Sequence, residues 1–162
     1  MSTEMSQFVL KLLESYNERE RKIAVLRYNL MHPVRVDPTE QIEAMNFGHG
    51  DDLGHNSGHI SNKTLYIALN YEEQADRMNA EAAQEIANEL FALECEQKRL
   101  NYFISLLDER QAEVIRLVFI EGIPTKEVAV HFSLTYRTID RIKRAAIESL
   151  AEMYAYSDQF RV

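Results

Sequence analysis

The sequence predicts an all-α protein, a long N-terminal helical hairpin or coiled coil followed by a group of short helices. Three observations carry this. Two apolar stripes alternate spacings of three and four residues, the signature of a helix face. Of only five glycines and three prolines in 162 residues, four glycines fall between Gly48 and Gly58, so breakers are scarce elsewhere. After residue 107 the chain breaks into short segments, each opened by a capping residue.

The first stripe is Val9, Leu12, Tyr16, Arg19, Ile23, Leu26 and Leu30, a heptad seam on a helix of about 27 residues. His32-Pro33 ends it, because proline disfavours helical geometry in the residue before it. Residues 32–61 read as a flexible loop by composition. Ser61 or Asn62 caps a second long helix, expected from about 63 to 107. Its stripe has Ala83, Leu90, Gln97 and Ile104 at a positions and Ile86, Leu93, Leu100 and Leu107 at d. Gln97 has the character of a polar a residue that fixes register. Cys95 falls at an f position, facing away, and reads as an incidental surface thiol.

In an antiparallel hairpin with Leu30 near Ile67, Arg19 would lie near Asp76. The first helix would then stop short of residues 90–107. Either that stretch packs inside one chain as an ordinary bundle, or a second copy covers it. In the second case Leu90, Leu93, Gln97, Leu100, Ile104 and Leu107 form the oligomerisation surface of a homodimer.

Residues 108–155 read differently. Asp108 with Gln111 three residues on forms a capping box before a helix Glu109–Ile120. Gly122 supplies a left-handed stop and Pro124 blocks continuation. Thr125 caps a short helix, Lys126–Phe132, and Ser133-Leu134 makes a tight turn. Thr135 caps a third helix to about Met153, with Ile139, Ile142, Ala146 and Leu150 on one side; residues 156–162 are a tail. Two short helices joined by a tight turn, the second rich in Arg, make a helix-turn-helix. Tyr136, Arg137, Asp140, Arg141 and Arg144 share the face opposite the apolar one. Arg137 and Arg141 could each pair bidentately with guanine, while Lys143 and Arg144 better suit phosphates. Thr125 and Lys126 could meet a phosphate from the preceding helix.

Charge supports this division. The net charge of −8 weighs, as an average, against nucleic acid and anionic membranes. Residues 1–107 hold seven of those negative charges and residues 108–162 only one. Within 135–147, Arg137, Arg141, Lys143 and Arg144 face Asp140 alone. Eight acids against Arg77 lie between Glu72 and Glu96.

The segment Gly122-Ile123-Pro124-Thr125-Lys126-Glu127-Val128-Ala129, followed by Phe132-Ser133-Leu134-Thr135-Tyr136-Arg137-Thr138-Ile139-Asp140-Arg141-Ile142-Lys143-Arg144-Ala145, is similar to the helix-turn-helix of sigma factor region 4. With the helical N-terminal half and the motif Gly58-His59-Ile60-Ser61-Asn62-Lys63-Thr64-Leu65-Tyr66-Ile67-Ala68-Leu69, most of the chain resembles the phage RinA/ArpU family of transcriptional regulators. The resemblance implies DNA binding, base-reading positions within Thr135–Arg144, and activation of phage late genes. It departs from the motif at Ser133, where glycine often stands.

Other classes fit less well. His49, His55 and His59 with Asp51 and Asp52 match no established metal spacing, so no metal or cofactor is expected. There is no Gly-rich phosphate loop, nucleophile elbow or helix-borne His pair, so an enzyme is not expected. A small terminase-like packaging subunit, or a sigma-like protein that binds RNA polymerase with little DNA contact, remain as rivals. The expected partners are double-stranded DNA, host RNA polymerase and a second copy of the chain. No apolar run approaches the roughly 18 residues of a membrane span, no secretory leader opens the chain, and a single cysteine fits the bacterial cytoplasm.

Overall fold

The structure is a computed structural model that describes residues 2–35 and 62–160. It is all-α, and no strand occurs among the described residues. In order the elements are α1 (Ser2–Glu14), α2 (Tyr16–Met31), α3 (Asn62–Ser105), α4 (Glu109–Ile115) continuing as a π-helical segment (Arg116–Ile120), α5 (Thr125–His131) and α6 (Tyr136–Asp158). The chain divides into two compact units, Met1–Val25 with Phe91–Val162, and Leu26–Leu90.

The first seam forms two helices with a break at Ser15 rather than one. The Ser15 hydroxyl donates to the Lys11 carbonyl at 2.8 Å, and Arg19 Nη2 donates to the Leu12 carbonyl at 2.8 Å. Side chains that bond carbonyls of the preceding turn compete with the helical ladder there and bend it. Val9, Leu12, Tyr16, Arg19 and Ile23 are buried as the stripe requires, while Leu26 is half-buried and Leu30 exposed.

The pairing with α3 is antiparallel but in another register. Arg19 Nε donates to Gln97 Oε1 at 2.7 Å, Gln97 Nε2 donates to Glu20 Oε1 at 2.8 Å, and the Tyr16 hydroxyl donates to Asn101 Oδ1 at 2.9 Å. Arg19 therefore meets Gln97 and not Asp76. Those positions lie three heptads apart, and a heptad pattern repeats identically at each such shift. What distinguishes them is the buried guanidinium, which needs acceptors; Gln97, the Ser15 hydroxyl and the Leu12 carbonyl supply them.

This register buries most of the residues expected at an oligomerisation surface. Gln97, Leu100, Ile104 and Leu107 are buried within the chain, Leu90 is buried in the second unit, and Leu93 is half-buried. Leu100, Ile104 and Leu107 join Val9, Leu12, Leu13 and Tyr16 in one core with Ala112 and Ile115 of α4 and Ala146, Ile147, Leu150, Ala151 and Tyr154 of α6. Leu100, Ile104 and Leu107 are thus covered within the chain by α1, α4 and α6.

Aromatic packing locks α1, α3 and α6 together. Phe8 and Phe103 each meet Tyr154 edge-on, at 5.8 and 4.9 Å between ring centroids. The Arg99 guanidinium lies 4.4 Å from the Tyr154 ring centroid and pairs with Asp158 at 2.7 Å. This cluster explains why α6 runs to Asp158, past the expected end at Met153. Burial pushes the Tyr154 hydroxyl up to about 12, and that hydroxyl has no hydrogen-bond partner among the described residues.

The second unit contains the end of α2 and the acidic part of α3. Ala75 and Leu90 are buried there, while Glu72, Glu73, Asp76, Glu81, Glu85 and Glu89 are exposed. Cys95, in the first unit, is exposed, as its f position implies. The histidine-rich stretch His49 to His59 lies outside the described residues. Among the described residues no helix is long and apolar enough to cross a membrane, and no group of three His, Cys, Asp or Glu side chains is placed to hold a metal.

Candidate nucleic-acid interface

The site is built by α4, α5 and α6 around a second small core. Val114, Val128, Ala129 and Ile139 are buried in it, with Leu117, Val118, Ile123, Phe132, Leu134 and Ile142 packed around them. The π-helical segment lets one helix serve both cores. Ala112, Ile115, Phe119 and Ile120 face the first, Val114, Leu117 and Val118 the second. Its wider turn ends with Glu121 N–H on the Arg116 carbonyl and Ile123 N–H on the Leu117 carbonyl, both at 2.9 Å. Gly122 sits between them at φ 70°, the left-handed stop expected of it. Asn17 Nδ2 donates to the Ile120 carbonyl at 3.0 Å, so α2 satisfies one of the carbonyls freed at this helix end.

Two caps differ from expectation. Asp108 occupies the N-cap of α4, but its side chain makes no capping hydrogen bond, so there is no capping box. Helix α5 is capped by Pro124, whose carbonyl accepts from Glu127 N–H and Val128 N–H, and Thr125 is already its first helical residue. The fixed φ of proline suits the entry into the helix, so no side-chain oxygen is needed to stop the chain there.

The turn between α5 and α6 is a complete Schellman motif. Leu134 N–H donates to the Ala129 carbonyl at 2.9 Å and Ser133 N–H to the Val130 carbonyl at 3.0 Å. Ser133 holds the left-handed position at φ 53°, the place where the helix-turn-helix motif often has glycine. Leu134 and Ala129 close the motif by joining the same core. Thr135 then caps α6 as expected, its hydroxyl accepting from Thr138 N–H at 3.3 Å.

With Ile139 buried and Ile142 packed against the small core, the outward face of α6 is fixed. Arg137, Arg141 and Arg144 are exposed, Tyr136 is half out at 50%, and Asp140 and Lys143 are half-buried. Asp140 organises part of this face. Its carboxylate takes Lys143 Nζ at 3.2 Å and Arg144 Nη2 at 2.8 Å. Among the described residues neither Arg137 nor Arg141 has a carboxylate within ion-pair distance. The two uncompensated cations are therefore the two nearest the N-terminal end. Lys126 is exposed on α5 and Thr125 half-buried.

One residue escaped sequence reasoning. Arg110, in the first turn of α4, lines a shallow cleft of about 380 Å³ together with Asp108, Gln111, Arg141, Ile142 and Ala145. A signal was present: a cation in the first turn opposes the helix dipole, so it needs a reason beyond helix stability.

Residues 103–152 match the sequence family Sigma-70, region 4. The chain thus carries a helix-turn-helix similar to that DNA-binding domain, spanning the end of α3 through most of α6. No curated protein and no solved structure is significantly similar to the chain.

Proposed function

We propose that the protein is a sequence-specific double-stranded DNA-binding regulator of transcription, a phage or prophage activator of late genes that works as two copies with host RNA polymerase. The observation that carries this reading is the pair Arg137 and Arg141. Both are exposed and uncompensated on the N-terminal half of a helix whose other face is locked in a core. That half of a recognition helix is the part that reaches base edges in the major groove. A bidentate arginine–guanine pair discriminates by roughly 1–3 kcal/mol. Thr135 and Tyr136 precede the pair, Asp140 holds Lys143 and Arg144 in ion pairs beside it, Arg110 lines one cleft with Arg141, and Thr125 and Lys126 are the proposed phosphate contacts from α5.

The exposed acids of α3 are the proposed polymerase-facing surface. Neutralising Glu81, Glu85 and Glu89 together should then abolish activation and leave DNA affinity intact.

Selection on random duplexes tests the central claim. A recurring enriched sequence, lost on combined Arg137→Ala and Arg141→Ala substitution, is the expected result. No enriched sequence would overturn it.

A further inference from the structure

Two cations of the first unit line one cleft. Arg110, in the first turn of α4, and Arg141, in the second turn of α6, share the shallow cleft of about 380 Å³ with Gln111, Ile142 and Ala145. Both arginines are exposed. Asp108 lines the cleft as well, so it holds two positive charges against one negative. Among the described residues no carboxylate, that of Asp108 included, lies within ion-pair distance of either guanidinium. Neither arginine belongs to a core, so burial supplies no other reason for the pair. Two unpaired cations at one cleft repel each other, and an anion seated between them turns that repulsion into attraction.

The place of the cleft selects the anion. A helix with its side chains is about 10–12 Å across, and the major groove of DNA is about 12 Å wide. A recognition helix therefore fills the groove, and a side chain from a neighbouring helix meets the groove wall, which is sugar and phosphate. Arg110 is such a side chain, because it stands on α4 while the proposed reading face belongs to α6. Arg141 lines the cleft beside Arg110, and Arg137 does not. Guanidinium N–H groups match phosphate oxygens in bidentate pairs, and a phosphate contact fixes the register of a protein on its duplex.

We infer that Arg110 and Arg141 together clamp one phosphate of the DNA backbone at the edge of the major groove, which leaves Arg137 as the arginine that reads bases. The inference rests on the proposal that α6 binds DNA, and it divides the work within that arginine pair. Arg141 contributes affinity and register, and Arg137 contributes sequence discrimination.

Fluorescence anisotropy of the full-length chain, on the duplex recovered by selection and on a scrambled one, tests this across a salt series. Arg137→Ala should weaken the selected duplex about tenfold more than the scrambled one. Arg110→Ala and Arg141→Ala should each weaken both duplexes alike. The double variant Arg110→Ala with Arg141→Ala should lower the slope of log affinity against log salt by about 0.9, the share of one phosphate, and not by about 1.8. Uncharged methylphosphonates placed one at a time along the selected duplex should reveal one phosphate whose neutralisation weakens the wild type by roughly threefold or more and leaves the double variant unaffected. Thermal melting no lower than that of the wild type shows that none of the variants acts by unfolding. Wild-type binding by Arg110→Ala, a loss on the selected duplex alone in Arg141→Ala, a slope lowered by two shares, or no such phosphate would each overturn the clamp and leave the reading of DNA standing. No binding of the wild type to any duplex would overturn both.

Discussion

Replacing Asp140 by Asn should strengthen binding to every duplex and steepen its salt dependence. The carboxylate holds Lys143 at 3.2 Å and Arg144 at 2.8 Å, on the helix face proposed to meet DNA. The two cations are not equally free to leave. The Lys143 side chain is 22% exposed and the Arg144 side chain 76% exposed, so Arg144 is the one that can swing to a phosphate. One additional neutralised phosphate adds about 0.9 to the slope of log affinity against log salt. Between about 200 and about 50 mM salt that increment amounts to a three- to fourfold larger gain for the variant, roughly 0.7 kcal/mol. Specific and non-specific duplexes should gain alike, because a phosphate contact carries no sequence information. The assay is fluorescence anisotropy on the selected site and on a scrambled duplex across a salt series. An unchanged slope would refute the assignment of Arg144 to phosphate. A loss on the selected site alongside a gain on the scrambled duplex would show instead that Asp140 itself reads a base, as an acceptor for the cytosine amino group.

Three further outcomes bear on the fold. Arg19→Leu alone should destabilise by about 3 kcal/mol or more, by leaving buried acceptors unpaired, whereas Arg19→Leu with Gln97→Leu should recover much of that loss in a double-mutant cycle by denaturant titration; additive losses would refute the register. Ser133→Gly should raise stability by about 0.5–1 kcal/mol, since relief of left-handed strain outweighs the added chain entropy, seen as a thermal shift of about 2–3 °C with DNA affinity unchanged. Tyr154→Phe should stabilise by about 1 kcal/mol by removing a buried hydroxyl without a partner. Because that hydroxyl is raised from 10 to about 12, the wild type should hold its stability below pH 10 and lose it as pH climbs toward 12. Tyr154→Phe should lack that loss, and a parallel alkaline decline in both proteins would count against Tyr154 as its source.

Much of the fold was legible because each signal was local. The Val9 to Ile23 stripe, the Gly122 stop and the Thr135 cap each need only a few neighbouring residues. The register of α2 on α3 was not, because heptads make shifts of seven residues equivalent and only the hydrogen-bonding needs of Arg19 separate them. Gln97, read from the sequence as a register residue, is buried and bonds Arg19 and Glu20 inside the chain. The packing of α1 on α6 was hidden for another reason. Leu13 and Phe8 lie off the stripe that periodicity selects, yet Leu13 is fully buried and Phe8 packs on Tyr154. At the candidate interface the exposed arginines followed from the helix period, whereas Arg110 came into place only through the docking of α4 on α6.

Charge placement along α6 separates structural from functional demands. The helix dipole favours anions in the first turn and cations in the last, by roughly 0.3–1 kcal/mol each. This helix does the reverse, with Arg137 in its first turn and Asp158 in its last. Asp158 has a structural compensation in Arg99 at 2.7 Å, which also caps the Tyr154 ring. Arg137 has no such partner among the described residues, and its side chain is exposed. Helix stability therefore argues against Arg137, and packing does not argue for it. A polyanion at that end of the helix reverses the balance, because the cation and the helix N-terminus then attract it together. The same polyanion is repelled from the Glu152 and Asp158 end. The charge order along α6 thus favours the half proposed to enter a DNA groove, and it does so while the protein as a whole carries a net charge of −8.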